Sequence, residues 1–81
     1  MLQDRFMRRP DVRAAVGFSD TSLDTAVSSG TFPPPIKLLG ARAVGWVSSE
    51  VDAVIQARIA GRNNDEVRAL VASIVAKRGR K

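Results

Sequence analysis

The fold is decided by residues 30–52, which read GTFPPPIKLLGARAVGWVSSEVD. Gly30 is placed to end a helix, because glycine readily adopts the left-handed conformation that closes helices. The three prolines at positions 33–35 then impose an extended connector, since each proline fixes its own φ and disfavours helix in the residue before it. The stretch therefore predicts a helix end, a stiff connector, a hairpin and the start of a new helix.

The hairpin follows directly from the connector. Ile36 and Leu38 share one face of its first strand, and Val44 and Trp46 share one face of its second strand, because side chains alternate along a strand. Residues 39–42 supply the turn between the strands, with a glycine at position 40 that tolerates unusual dihedral angles. We expect Trp46 to belong to the core rather than to stack on bases, since no other aromatic residue alternates with it.

Upstream of the connector, the sequence predicts two short helices joined by a turn. The first begins near Pro10, which is well suited to a first helical turn, and ends at Gly17. The second is capped by Ser19 or Asp20, whose side chains accept hydrogen bonds from free backbone N–H groups. Apolar residues recur at helical spacing in both helices, as Val12, Ala15 and Val16, then Leu23, Ala26 and Val27. Helix, glycine-containing turn and helix form the helix-turn-helix pattern, with Phe18 of the turn expected in the core.

Downstream of the hairpin, two further helices are predicted. Ser48 or Ser49 caps the third, which ends at Gly61, and Asn64 or Asp65 begins the fourth. The inner face of the third helix is expected to comprise Val51, Val54, Ile55, Arg58 and Ile59, with Arg58 extending its charge to solvent. The fourth helix carries a complete apolar stripe of Val67, Leu70, Val71, Ile74 and Val75. This stripe is suited either to packing on the same chain or to forming a homodimer.

The fold class predicted from these elements is mainly α with a small β-hairpin, a winged helix-turn-helix with an additional C-terminal helix. The expected organisation is a basic N-terminal arm over residues 1–9, a winged helix-turn-helix domain over residues 10–62, and a C-terminal helix with a basic tail over residues 63–81. A chain of 81 residues is of a length that suits one domain.

Composition narrows the functional classes. The net charge of +5 favours an anionic partner, either nucleic acid or a membrane surface. The chain contains no cysteine, histidine or tyrosine, which removes the usual general bases, thiolates and metal ligands. We therefore expect no enzymatic activity, no cofactor, no metal and no small-molecule ligand. Apolar runs stay well short of the ~20 residues that a membrane span needs, and the N-terminus lacks the apolar segment of a signal peptide, so we expect a cytoplasmic, nucleoid-associated protein without a membrane partner.

Four motifs in this order resemble the AlpA-like family of phage and prophage regulators, over roughly residues 9–59. The motifs are VGFS at 16–19, GTFPPPIKL at 30–38, GARAVGW at 40–46 and SEVD at 49–52. The family is a branch of the MerR-like winged-helix proteins, which also include many excisionases. The resemblance implies a double-stranded DNA-binding protein, either a transcriptional regulator or an excisionase (a recombination directionality factor). It also implies phage integrase or RNA polymerase as protein partners.

By the same resemblance, the second helix would enter the major groove and the hairpin would contact the neighbouring minor groove or its phosphates. The candidate residues of the recognition helix are Ser19, Thr21, Ser22, Thr25 and Ser28. Those of the wing are Lys37 and Arg42, the latter at the hairpin tip, where an arginine can enter a narrow minor groove. Candidates for DNA backbone contacts are Arg5, Arg8, Arg9 and Arg13.

The chain departs from the family in the second helix. Family members usually carry a basic residue after the capping serine and a Tyr-Arg-like pair one turn later, whereas this chain has Asp20, Asp24 and Thr25. Carboxylates repel DNA phosphates, although aspartate can accept a hydrogen bond from cytosine. This departure motivates an alternative function: a winged-helix interaction module that has lost specific DNA reading and binds a repressor, an integrase or another protein.

Phe32 provides a direct test of the predicted core. It is expected to fill the space behind the proline connector, so Phe32→Ala should lower the free energy of unfolding by about 3–5 kcal/mol. Urea denaturation followed by far-UV circular dichroism measures this change. A loss below about 1 kcal/mol would place Phe32 at the surface.

Overall fold

Four helices and three short strands form the computed structural model, which describes residues 5–38 and 43–78. In chain order the elements are β1 (Phe6–Met7), α1 (Arg9–Val16), α2 (Asp20–Ser29), β2 (Ile36–Leu38), β3 (Ala43–Val47), α3 (Ser48–Ile59) and α4 (Asn64–Arg78). Helix–turn–helix, hairpin and helix follow one another as predicted, with an additional helix at the C-terminus. The predicted fold class is confirmed.

Two glycines and a capping serine set the boundaries of the helices in the helix-turn-helix unit. Gly17 and Gly30 close α1 and α2 in the left-handed conformation, with φ values of 74° and 84°. Ser19 caps α2, because its hydroxyl accepts a hydrogen bond of 3.1 Å from the backbone N–H of Ser22. Helix α1 begins at Arg9, so Pro10 occupies its first turn, where a missing N–H costs little.

The sheet contains a strand that the sequence did not predict. Its order is β1-β3-β2, and both pairs of strands are antiparallel. Strand β1 places Phe6 opposite Val47 and Met7 opposite Trp46. A strand of two residues is too short to show the alternation from which strands are recognised. Within residues 1–9, the segment predicted as an arm, the structure thus describes one strand and the first residue of α1.

Arg5, the residue before β1, is hydrogen-bonded to the start of α3. The backbone N–H of Ser48 donates to the Arg5 carbonyl at 2.7 Å, and the Arg5 N–H donates to the Ser48 hydroxyl at 2.8 Å. The expectation that Ser48 or Ser49 caps α3 was wrong, because both residues lie within the helix and Val47 occupies the N-cap position. The Ser48 hydroxyl instead satisfies the backbone of the neighbouring segment.

The register of the hairpin assigns its two faces. Lys37 lies opposite Val44, on the face that also contains Trp46, whereas Ile36 lies opposite Gly45 on the other face. The predicted turn, including the wing candidate Arg42, lies outside the described residues. Lys37 is exposed on β2.

The core is centred on two aromatic side chains, as predicted. Trp46 is fully buried and its indole N–H donates to the Pro33 carbonyl at 2.7 Å. Phe32 is 1% exposed and packs edge-on against Trp46, with ring centroids 6.2 Å apart. Phe18 is half-buried and makes a similar contact with Phe32 at 6.4 Å. The other buried hydrophobic residues are Val12, Leu23, Val51, Val54, Val67 and Val71.

One predicted core position of α3 is exposed. Ile59 is 73% exposed, and Arg58 before it is exposed as well. Val51 and Val54 are buried on the inner face of α3, whereas the end of the helix is exposed. The prediction for Ile59 was wrong. Helical spacing shows on which face of the helix a residue lies, but it does not show whether another element covers that residue. Together with Val16, Phe18 and Ile55, this residue lines an open groove of about 430 Å³.

Helix α4 packs on its own chain. Val67 and Val71 are buried in the core, Leu70 and Ile74 are half-buried, and Val75 is exposed. Val67 and Val71 cannot contact a second copy while they occupy this core. Of the two alternatives for the stripe, the structure therefore shows packing in cis, and the homodimer through all five residues is not supported.

Polar contacts fix α4 at both ends. At its start, Asn63 and Glu66 form a reciprocal capping box with hydrogen bonds of 2.8 and 3.0 Å. At its end, the Arg78 guanidinium donates to both carboxylate oxygens of Glu50 in α3, at 2.6 and 3.2 Å. Among the described residues, no helix combines the length and apolar character that crossing a membrane requires.

Gly45 tests the role of β1. A Cβ atom built on Gly45 would lie 2.5 Å from Cε2 of the Phe6 ring and would also collide with the Met7 carbonyl. Gly45→Ala should therefore separate β1 from β3 and cost about 1–3 kcal/mol of stability. Amide exchange of Ser48 should accelerate more than that of α2. Gly17→Ala is the control, because open space surrounds its Cβ and only backbone strain is added. Wild-type exchange at Ser48 in Gly45→Ala would contradict this account.

The Glu50–Arg78 pair tests the docking of α4. The two side chains are only 15% and 19% exposed, so removing one partner leaves a poorly solvated charge behind. Glu50→Gln and Arg78→Gln should each cost about 1–3 kcal/mol, with a coupling energy above about 0.5 kcal/mol in the double variant. Urea denaturation measures both quantities. Asp65→Asn, which breaks an exposed pair with Arg68, should leave the midpoint unchanged; equal effects of all three single variants would overturn the assignment.

Candidate nucleic-acid interface

Helix α2 presents a row of hydroxyl groups to solvent. Thr21, Thr25 and Ser28 recur at i, i+4 and i+7, which places them on one face of the helix, and all three are exposed. The Ser28 hydroxyl donates to the carbonyl oxygens of Asp24 and Thr25 at 3.1 and 3.2 Å. Within the described residues, the hydroxyls of Thr21 and Thr25 make no hydrogen bond, so they are available to an external partner.

The two remaining candidates of the recognition helix have local roles. The Ser19 hydroxyl caps α2 and also donates to the Ser22 hydroxyl at 3.1 Å. Both residues are exposed at the start of the helix, where a ligand would meet free backbone N–H groups as well. Their contact with DNA stays a prediction, as it does for the other candidates.

The carboxylates of α2 are paired with arginines of α1. Arg9 contacts Asp24 at 2.8 Å and Asp20 at 3.3 Å, and Arg13 contacts Asp20 at 3.5 Å. These four residues are called the α1–α2 ion-pair cluster below. The hydrogen bond to Asp24 is the main cause that raises the pKa of Arg9 above its ordinary value, with Asp20 contributing further. Asp20 and Asp24, the two acidic residues that depart from the family pattern, therefore have a structural role as partners of these arginines.

Arg9 also joins the cluster to the core. The carbon at the centre of its guanidinium lies 5.9 Å from the centroid of the Trp46 ring, within the range of a cation–π interaction. The Arg13 side chain makes a second contact, since its Nε–H donates to the Phe18 carbonyl at 3.4 Å. Both arginines are therefore positioned by the fold, and not free in solvent.

The cluster sets the charge of the surface that α2 presents. Its two arginines and two aspartates sum to zero formal charge. On the helix, Asp20 and Asp24 occupy the side next to α1, whereas Thr21 and Thr25 lie nearer the centre of the exposed face. The exposed face of α2 is thus polar, rich in hydroxyls and locally neutral.

The other basic candidates lie at the surface. Arg5, Arg8 and Lys37 are exposed and, among the described residues, take part in no ion pair. Arg8 is the N-cap residue of α1 and Lys37 lies on β2. Arg42 falls in the part of the hairpin that the structure does not describe.

Sequence reasoning missed the cluster, although the chain carries a signal for it. Arg9 and Arg13 are four residues apart on α1, and Asp20 and Asp24 are four residues apart on α2. Equal spacing of opposite charges on two consecutive helices predicts facing rows when the helices pack side by side. Across the described parts of the chain, no group of three or more potential metal ligands occurs.

Comparison with known proteins gives a consistent result. The family model described as prophage CP4-57 regulatory protein (AlpA) matches residues 5–59. The chain is also 42% identical over 60 residues to the uncharacterized protein ORF88 of Enterobacteria phage P4, an alignment that covers 74% of this chain and 67% of that protein. No solved structure matches the chain. The matched residues contain the helix-turn-helix unit, the hairpin and α3, and the chain belongs to the AlpA family of prophage regulatory proteins.

Proposed function

We propose that this protein binds double-stranded DNA in a sequence-specific manner, as a phage-type transcriptional regulator or an excisionase. The observation that carries the proposal is the exposed hydroxyl face of α2, which the cluster keeps locally neutral, in a member of a regulatory family. No catalytic step and no cofactor are part of this function. In this function the protein acts through the DNA site that it binds and the protein partner that it recruits there.

Base reading is assigned to α2. Thr21 and Thr25 can donate to or accept from base edges in the major groove, and a threonine methyl group can contact the methyl group of thymine. Side chains this short reach base edges only if the helix axis lies close to the floor of the groove. The small residues along this face permit that approach, whereas long side chains would hold the helix away.

Positioning is assigned to the cations around α2. Lys37 on the hairpin, with Arg5 and Arg8 before α1, would contact phosphates of the duplex that α2 reads. Such contacts fix register and supply salt-dependent affinity without selecting a sequence. Arg42 is proposed for the minor groove beside the hairpin.

Binding selection from a randomised duplex pool at two salt concentrations tests the proposal. We expect an enriched motif whose affinity exceeds that of unrelated duplex by about 10³ or more. A paired motif would additionally indicate two copies at each site. Absence of enrichment, with affinity that vanishes as salt rises, would overturn sequence-specific binding and favour the interaction module that contacts a protein partner.

Single substitutions separate the two assigned roles. Thr25→Val removes a hydroxyl at constant shape and should cost about 1–3 kcal/mol on the selected duplex with little change on unrelated duplex. Lys37→Ala should weaken binding to the selected duplex and to unrelated duplex, and should reduce the magnitude of the salt slope by about 1. Arg62→Ala removes the same formal charge between α3 and α4, where Arg62 pairs with Glu66, and controls for net charge. Equal effects of Lys37→Ala and Arg62→Ala would exclude a specific role of the hairpin.

A reconstituted recombination assay distinguishes the two regulatory classes. An excisionase should stimulate integrase-dependent excision and bind beside the recombination site. A transcriptional regulator should alter initiation by RNA polymerase at a promoter that contains the selected motif. Both assays use the sequence obtained in the selection.

A further inference from the structure

We propose that the α1–α2 ion-pair cluster determines DNA specificity by keeping two arginines of the helix-turn-helix unit away from phosphates. In this view Asp20 and Asp24 do not read bases. They occupy the guanidinium groups that would otherwise bind any duplex. The inference rests on the proposed function and adds how the same surface discriminates between its target and unrelated DNA.

The geometry of Arg9 supports this role. One of its nitrogens lies 2.8 Å from the Asp24 carboxylate and another 3.3 Å from the Asp20 carboxylate, while its guanidinium lies over the Trp46 ring. The two carboxylates take two of the five N–H donors of the guanidinium and compensate its charge, which weakens its attraction for a phosphate. Because the pairs are partly exposed, with Arg9 at 38% and Asp24 at 67%, the cluster lies where an approaching duplex would compete for it.

The energetic consequence concerns unrelated DNA most strongly. Affinity for unrelated duplex comes almost entirely from cations that neutralise phosphates, and each such contact adds about 0.9 to the magnitude of the salt slope. A cluster of zero net charge contributes little to this term. Hydroxyl contacts to the target bases are unaffected, so the ratio of specific to non-specific affinity rises.

Arg9 acts as a positioning residue in this scheme. It compensates Asp24, which would otherwise face phosphates as an unpaired negative charge, and it ties α2 to the core through Trp46. Removal of Arg9 and removal of Asp24 should therefore have opposite effects on DNA binding. Removal of both should return binding of unrelated DNA close to that of the wild type.

The test measures affinity of the full chain for the selected duplex and for unrelated duplex of equal length, between 50 and 200 mM salt. Asp24→Asn should strengthen binding to unrelated duplex by about fivefold at 100 mM salt and steepen its slope by about 0.9. The ratio of specific to non-specific affinity should fall accordingly. Arg9→Gln should weaken binding to both duplexes, and the double variant should bind unrelated duplex within about twofold of the wild type.

Asp65→Asn is the matched control. It raises the net charge by the same amount as Asp24→Asn and also breaks an exposed ion pair, but on α4. Far-UV circular dichroism, which does not depend on the contact between Arg9 and Trp46, confirms that each variant is folded. An Asp24→Asn variant that matches Asp65→Asn would overturn the inference. So would a double variant as weak as Arg9→Gln, since Arg9 would then contact phosphate regardless of Asp24.

Two further outcomes separate this inference from its premise. Loss of selectivity at one guanine–cytosine position in Asp24→Asn would show that Asp24 reads cytosine, which contradicts the inference and leaves the proposed function intact. Failure of the wild type to distinguish any duplex would overturn the proposed function itself, whatever the variants do.

Discussion

The arrangement of this small domain depends on the buried side chain of Trp46. Its indole N–H donates to the Pro33 carbonyl at 2.7 Å, which fastens the hairpin to the proline connector. A buried indole N–H without an acceptor would carry a desolvation penalty, so the connector must pass at that distance from β3. Phe32 packs against one side of the ring system, and Arg9 lies near it from α1. Helix α1, connector and hairpin are thereby fixed relative to one aromatic side chain.

This constraint makes the helix-turn-helix unit and the hairpin a single surface. The proposed binding of DNA needs α2 and the phosphate-binding groups at fixed separation, because a misplacement of about 1 Å breaks hydrogen bonds to base edges. Arg9 extends the constraint outward, since one side chain contacts the Trp46 ring and both carboxylates of α2. Arg9 thus contributes both to neutralising the charge of α2 and to positioning the helix.

Much of the fold could be predicted from the sequence, because its boundaries are set locally. Gly17, Gly30 and Ser19 end and begin helices through their own backbone and side-chain chemistry. Phe32 is a large apolar side chain beside a stiff connector, and its burial follows from the hydrophobic effect. What escaped prediction depends on distant partners. Strand β1 exists only because β3 pairs with it, and the exposure of Ile59 reflects which element covers α3.

The candidate site shows the same division more sharply. The exposed hydroxyls of α2 follow from helical spacing, so they could be predicted residue by residue. The meaning of Asp20 and Asp24 could not, because it resides in a contact between two helices. Considered on α2 alone, they suggest repulsion from DNA; beside Arg9 and Arg13 they form a neutral cluster. Charge on a recognition helix must therefore be counted together with the helix that packs against it.

Helix α4 shows how a region beyond the family match contributes to the site. The matched segment ends at residue 59, yet Val67 and Val71 complete the core. The Arg68 side chain donates to the Ser29 carbonyl in the last turn of α2 at 3.0 Å, where a cation also complements the helix dipole. One end of α2 is thus held by Arg9 of α1 and the other by Arg68 of α4. The proposed recognition helix is supported from both sides, which leaves its hydroxyl face as the part that is free to meet a ligand.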